Sequence, residues 1–271
     1  MVTVDEIRQI AQLSYHEKMI EETRNYPYVG HVIRRVSPYF TKFFIDAKLS
    51  ANQVSFISIL LGIIGGLLFA FGNYYLMIVG CIVFFQLWNL FDCVDGEVAR
   101  VTNDLSLGGR YLEEIHNPII ESIFMACFGI GLFTLWDNIV FLYIGFTFAM
   151  SICLVHNFNR SRYYIAQTEK EESYKFLLTP KKSILGSAYR SIYRKVRLLF
   201  ILPNTYLMLT GVLIFELLFP IKLSYELYGV TFNLLSTYFL LYGIDWLART
   251  VISGFTNYRY LMRANQRVHA S

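Results

Sequence analysis

Charged side chains are scarce in this chain. Of 271 residues only 16% are Asp, Glu, Lys or Arg, against 55% hydrophobic and 17% aromatic. That balance excludes an ordinary soluble domain and points to a membrane protein. Cysteine is sparse too: Cys81, Cys93, Cys127 and Cys153 sit in or beside apolar runs, with no CxxC pair. They read as small apolar residues, which excludes a disulfide or zinc framework. No signal peptide is visible. The opening "MVTVDEIRQIAQ" is polar, so the first apolar run is expected to remain in the mature protein. No internal repeat and no separate soluble domain stand out, and nucleic acid is not expected among its partners.

What is present is length of apolar chain. Six runs, at about 54–72, 75–92, 118–135, 138–157, 198–219 and 231–251, are long enough or nearly so to cross a membrane as helices. The third and fourth are separated only by "WDN" and predict a hairpin. Seven of the 24 lysines and arginines precede the first run. Two lie in the second connection (Arg100, Arg110), ten in the fourth (Arg160 to Arg197) and four from Arg249 onward. Only Lys222 falls in an odd-numbered connection. The positive-inside rule then predicts that both termini and the segment 92–117 face the cytoplasm.

The expected architecture is an all-α integral membrane protein, with six transmembrane helices preceded by an interfacial amphipathic helix. Residues 1–49 would hold the cytoplasmic and interfacial helices, and 50–271 the membrane domain. Residues 3–24 read as a polar helix opened by a Thr3/Glu6 capping box, and "SANQ" at 50–53 is a second box that opens the first span. In "SPYFTKFFIDAK", Ser37 is a candidate N-cap with Pro38 in the first turn. Phe40, Phe43 and Phe44 would form the face turned to the membrane, the alternative being an amphipathic helix packed on the domain. Residues 159–197 are polar and basic and read as a helical cytoplasmic loop.

The second run ends in "DCVDGEVARVTNDLSLGGRYLEEIHN". Asp92 and Asp95 are three apart and share a helix face. Two carboxylates at an apolar helix end repel, and a hard divalent cation would relieve both costs. Gly96 leaves backbone open to a ligand. Arg100 suits a phosphate or a carboxylate. Gly108 and Gly109 mark a turn, and Glu113 supplies a third carboxylate. A metal and an arginine beside a cytoplasmic membrane face suggest a diphosphate substrate.

These residues resemble the signature of the CDP-alcohol phosphotransferase family, Asp-x2-Asp-Gly-x2-Ala-Arg-x8-Gly-x3-Asp-x3-Asp. Asp92, Asp95, Gly96, Ala99, Arg100 and Gly109 fall on it with the required gaps. Glu113 and Asn117 occupy the third and fourth acidic positions. "LSANQVSF" is similar to the family's Pro-Asn-x-x-Thr opening of the first span, with Ala51 for proline and Ser55 for threonine. The resemblance covers about residues 30–250. It implies transfer of a phosphoalcohol from a CDP-alcohol to a lipid or polyol acceptor, with release of CMP, in phospholipid or lipid-linked polyol biosynthesis. By position, Asp92, Asp95 and Glu113 would hold Mg2+ or Mn2+. Asp92, Gly96, Ala99, Arg100 and Gly109 would form the CDP-alcohol pocket. Family members are commonly homodimers, and membrane lipids would surround the fold.

The departure is Asn117. In the family the fourth carboxylate deprotonates the acceptor, and an amide cannot. His116 or Glu114 could take that role, or the acceptor could be an anion such as a phosphate that needs no base. A third reading is a catalytically inactive relative that binds nucleotide. Asn117 followed by Pro118 also reads as an N-cap that starts the third span. His156, Asn157, Arg160 and Arg162 are candidates for acceptor contact or for snorkelling helix ends. Asp245 and Arg249, four apart, are expected to pair. Glu121 and Glu216 carry no assigned role.

Overall fold

A computed structural model of the chain describes residues 2–11, 13, 28–168, 204–219, 224–227 and 230–268. Residues 4–11 are helical, and the Thr3/Glu6 box closes reciprocally: Glu6 Oε2 accepts from Thr3 N at 2.7 Å and Thr3 Oγ1 from Glu6 N at 3.2 Å. The rest of that expected polar helix, to residue 24, lies outside the described residues apart from residue 13. So do most of the basic connection (169–197), the start of the fifth run and Lys222.

Helix α1 spans Arg34–Asp46 and is entered through a π-turn at Val29–Ile33. It is followed by α2 (Ala51–Phe71), α3 (Tyr74–Val101), α4 (Leu107–Trp136) and α5 (Val140–Thr168). Next come α6 (Asn204–Leu218), the antiparallel pair β1 (Tyr225–Leu227) and β2 (Val230–Phe232), and α7 (Leu234–Val268). Among the described residues four helices are long and apolar enough to cross a membrane: α2, α3, α4 and the Val140–Ser161 part of α5. Thr205–Leu218 is a shorter apolar helix.

Local chemistry sets the boundaries. Ser50 Oγ accepts from Gln53 N at 3.3 Å while Gln53 Oε1 accepts from Ser50 N at 2.9 Å, so the second expected box is formed. Gly72, with φ of 60°, turns the chain out of α2, and Asn73 caps α3 by accepting from Tyr75 N and Leu76 N. Asp137, at φ 49°, ends α4, and α5 returns antiparallel against it, the expected hairpin.

Three sequence expectations are corrected. Ser37 does not cap α1: the helix has already begun at Arg34, and the Ser37 hydroxyl is spent on Glu97. The aromatic face of α1 is also split. Phe44 is buried, with its ring 5.1 Å from Phe91, and Phe40 lies 5.8 Å from the same ring, whereas Val36, Tyr39 and Phe43 are exposed. Finally, a two-stranded hairpin interrupts the all-α expectation before α7. Strands of three residues carry too little alternation to be seen in sequence.

The helices meet on a cluster of aromatic residues. Phe69, Phe85, Phe124, Phe128 and Tyr206 are fully buried together. The Phe124 ring stands edge-on to Phe69 at 5.0 Å and to Phe85 at 5.3 Å, and Tyr206 stacks on Phe85 at 3.8 Å. Between apolar helices in lipid, close packing rather than water exclusion drives association, so small residues allow the nearest approaches. At Gly129 of α4 an added Cβ would sit 2.7 Å from the Phe141 carbonyl oxygen and 2.8 Å from Gly145 Cα, both backbone. Glu216, at the end of α6, accepts hydrogen bonds from Tyr74 Oη (2.7 Å), Asn233 Nδ2 (3.1 Å) and Leu235 N (2.9 Å). One carboxylate thereby ties together the starts of α3 and α7.

Gly129→Val is expected to destabilise the fold by about 1–3 kcal/mol through overpacking. Gly211→Ala, whose Cβ would meet nothing within 4 Å among the described residues, should leave stability unchanged or slightly raised. Thermal unfolding of both purified variants in detergent checks the contrast; equal melting temperatures would contradict the α4–α5 contact.

Candidate functional site

The site is built on the last three turns of α3 and the first half of α4. Asp92 and Asp95 lie inside α3, one turn apart, as their spacing predicts. The Asp95 carboxylate accepts a 2.5 Å hydrogen bond from Ser55 Oγ on α2. Ser55, seen in the sequence only as a stand-in for threonine, therefore fixes the second aspartate. Asp92 is 39% exposed and its Oδ1 lies 2.9 Å from His116 Nε2, a side chain only 6% exposed. His116 Nδ1 is 3.2 Å from the Leu112 carbonyl oxygen one turn back. That carbonyl can only accept, so Nδ1 carries a proton and Nε2 is the ring atom turned to the site.

Asn117 does not start a helix. Ser106 caps α4, its hydroxyl accepting from Gly109 N at 3.0 Å, and α4 runs unbroken through Asn117 and Pro118. The apolar run beginning at Pro118 marks where the helix suits lipid; the helix itself begins eleven residues earlier, at Leu107. Proline removes one hydrogen bond from the helix but need not end it where neighbouring helices support the turn. The consequence is that Glu113, His116, Asn117 and Glu121 all project from one continuous helix.

The turn glycines have a packing role. Gly109 lies where a Cβ would be 2.9 Å from Asn52 Oδ1, and Asn52 on α2 also hydrogen-bonds the Ser106 hydroxyl at 3.2 Å. This close approach joins the start of α4 to α2 beside Asp95. Glu113 is exposed and is an electrostatic neighbour of Arg100. Glu114, exposed, pairs with Arg160 of α5 at 3.3 Å and so points away from the aspartates. Asn157 donates to the Cys153 carbonyl at 3.0 Å, and His156 lies against the Trp246 ring at 6.0 Å. Nothing is described for the Arg162 side chain. Asp245 and Arg249 pair on α7, as their spacing predicts.

Sequence reasoning missed Glu97. This residue occupies an unspecified place inside the motif, yet it is only 2% exposed. Its carboxylate accepts from Ser37 Oγ and Thr41 Oγ1, each at 2.6 Å, and from Arg34 at 3.3 Å, all on α1. The available signal was a carboxylate between Gly96 and Val98 on an otherwise apolar face, with Arg34, Ser37 and Thr41 at helical spacing upstream. Glu97 fastens α1 to the helix that carries the aspartates.

Asp92 and Asp95 face each other as like charges, relieved within the described residues by one imidazole and one hydroxyl. By donor type they fit a hard divalent cation, which takes carboxylate oxygens. Among the described residues no three His, Cys, Asp or Glu side chains already converge as a metal set.

Comparison with known families gives a match. The model of the CDP-alcohol phosphatidyltransferase family aligns with residues 48–223, a span that begins at the end of α1 and contains the whole α3–α4 site. No curated protein matches the chain.

Glu97→Ala leaves three donors of α1 without their acceptor. Breaking such a buried charged cluster is expected to cost about 3–5 kcal/mol. Limited proteolysis at Lys42 in α1 should accelerate, and Glu97→Gln, which keeps an acceptor oxygen, should be milder. Unchanged cleavage in Glu97→Ala would show that α1 is held by other contacts.

Proposed function

The chain belongs to the CDP-alcohol phosphatidyltransferase family, and from that membership we propose that it transfers a phosphoalcohol from a CDP-alcohol to a hydroxyl acceptor, releasing CMP. Its apolar helices make it an integral membrane protein. The observation that supports the reading most is the pairing of Asp92 and Asp95 on one face of α3 with His116 Nε2 at 2.9 Å from Asp92.

In this reading Asp92 and Asp95, joined by Glu113 when the ion binds, would hold Mg2+ or Mn2+, which would neutralise the diphosphate and orient it for in-line displacement. Arg100 offsets charge on the nucleotide side, and Gly96, Ala99 and Gly109 keep the helix surfaces low enough for the nucleotide to lie against them. The acceptor oxygen bonds to the phosphorus that bears the alcohol. The bond from that phosphorus to the bridging oxygen breaks, and CMP leaves with the bridging oxygen. His116 Nε2 takes the acceptor's proton once Asp92 is engaged by the cation and Nε2 has lost the proton it presents to Asp92 in the free protein, since Asn117 has no basic atom to do so. Glu114 is the weaker candidate because it is paired with Arg160.

The setting follows from the same reading. Six spans cross the bilayer, and the exposed stripe Val36, Tyr39 and Phe43 of α1 lies in the interface. Both termini and the site face the cytoplasm in this reading, which the charge asymmetry supports. The product is a phospholipid or lipid-linked polyol, and the protein is a homodimer among membrane lipids.

Radiolabelled CDP-alcohol and purified protein test the reaction. Asp92→Asn or Asp95→Asn should abolish metal-dependent CMP release while membrane insertion persists. His116→Ala should lose about 10²-fold or more, and Asn117→Asp should restore part of that loss. Binding of CDP-alcohol without CMP release, whatever acceptor is supplied, would identify a non-enzymatic nucleotide-binding relative instead. For sidedness, Thr102→Cys should label from the cytoplasmic side and Asn73→Cys from the opposite side. External labelling of Thr102→Cys would overturn the topology.

A further inference from the structure

Five residues beyond His116 on α4, about 7.5 Å along the helix, lies Glu121. It is 5% exposed, inside an apolar span, and its Oε2 has no hydrogen-bond partner among the described residues. A carboxylate left without a donor at such depth is costly, and proteins retain one where it serves a ligand.

The surroundings say what that ligand offers. Arg249 of α7 is an electrostatic neighbour of Glu121, but it is already paired with Asp245 and lies 4.7 Å over the Trp246 ring. One positive charge thus faces two carboxylates. His116, the other basic neighbour, is turned to Asp92. Tyr206 of α6 and Tyr242 of α7 are both fully buried and pack on the Phe124 ring, one turn along α4 from Glu121, at 5.3 Å and 6.4 Å. The Tyr206 hydroxyl likewise finds no partner among the described residues, and neither does His156 Nε2 from α5. Three helices, α4, α6 and α7, therefore bring polar groups to one region behind the aspartates. That region is richer in carboxylate than in cation, and its tyrosine hydroxyls can donate or accept.

We propose that Glu121 is the acceptor-binding residue of this site, and that it selects an uncharged polyhydroxylated alcohol over a phosphorylated one. The inference rests on the transferase reading above. An acceptor hydroxyl donates to Glu121 Oε2 and others exchange hydrogen bonds with Tyr206. A further hydroxyl, one helical turn and a half away, reaches His116 Nε2. A phosphate monoester placed here would bring up to two negative charges into a region where carboxyl groups outnumber cations, with Arg249 already paired to Asp245 and His116 turned to Asp92. A site built to hydrogen-bond hydroxyls discriminates strongly against a ligand that leaves those groups unpaired.

The test uses purified full-length protein in detergent, a CDP-alcohol donor, and paired acceptors: glycerol and inositol against their monophosphates. Wild type should release CMP with an unphosphorylated acceptor in preference to its phosphate. Glu121→Gln should raise the KM for the acceptor by about tenfold or more, leave the KM for the CDP-alcohol unchanged, and narrow the discrimination against the phosphate. Preference of the wild type for a phosphorylated acceptor, or an unmoved acceptor KM in Glu121→Gln, would overturn the proposal. Thermal unfolding supplies a readout that needs no turnover. If Glu121 awaits a ligand, Glu121→Gln relieves a buried carboxyl group that the free protein leaves unpartnered and raises its melting temperature. If Glu121 is a structural partner of Arg249, the melting temperature falls, and the proposal fails. Should no acceptor yield CMP, the transferase reading fails by itself, and the melting temperature still decides whether Glu121 is a ligand-binding or a structural carboxylate.

Discussion

Two like charges held one helical turn apart at the end of an apolar helix are the constraint around which this protein is arranged. Asp92 and Asp95 cannot separate, because α3 fixes their spacing, and cannot both escape to water, because α2 and α4 flank them. Each is therefore given one neighbour: Ser55 from α2 for Asp95 and His116 from α4 for Asp92. Two neighbours, one of them neutral, leave carboxylate oxygens to spare, which is the condition a cation requires. The close approach of α2 and α4 to α3 follows from this need, and Gly109 against Asn52 lets it happen.

The continuity of α4 through Pro118 determines what those aspartates can meet. Had the chain broken at Asn117, Glu113 and His116 would belong to a loop, free to turn away. Because the helix persists, His116 is carried on the same rod as the membrane-embedded Gly129 and is positioned by the packing of α4 against α5. The acidic motif thus inherits its geometry from apolar contacts far below it. A helix supported along its length holds a side chain more reproducibly than a loop does.

Buried carboxylates recur, with different degrees of satisfaction. Glu97 receives three donors and Glu216 three, and both act as ties between elements. Glu121 lacks a partner on one oxygen among the described residues, within a span where donors are scarce. The contrast matters because lipid supplies no hydrogen bonds, so a carboxylate that serves the fold must bring its donors with it.

The sequence by itself determined everything that depends on neighbours a few residues apart. The two capping boxes, the shared face of Asp92 and Asp95, the Asp245–Arg249 pair and the α4–α5 hairpin were all legible because helix geometry converts spacing directly into proximity. The spaced motif likewise carried the family. Hydropathy located the membrane-compatible stretches but not the helix ends, since it measures fitness for lipid while a helix ends where its backbone is capped; hence α4 begins at Leu107 and not at Pro118. Only the tertiary structure decided what crosses between helices. It joined Glu97 to α1, turned Ser37 from a cap into a donor, brought His116 to Asp92, paired Glu114 with Arg160, and formed the short hairpin before α7. A polar group in an apolar interior binds whichever donor packing brings within reach, and that choice is made between surfaces distant in the chain, where spacing carries no information.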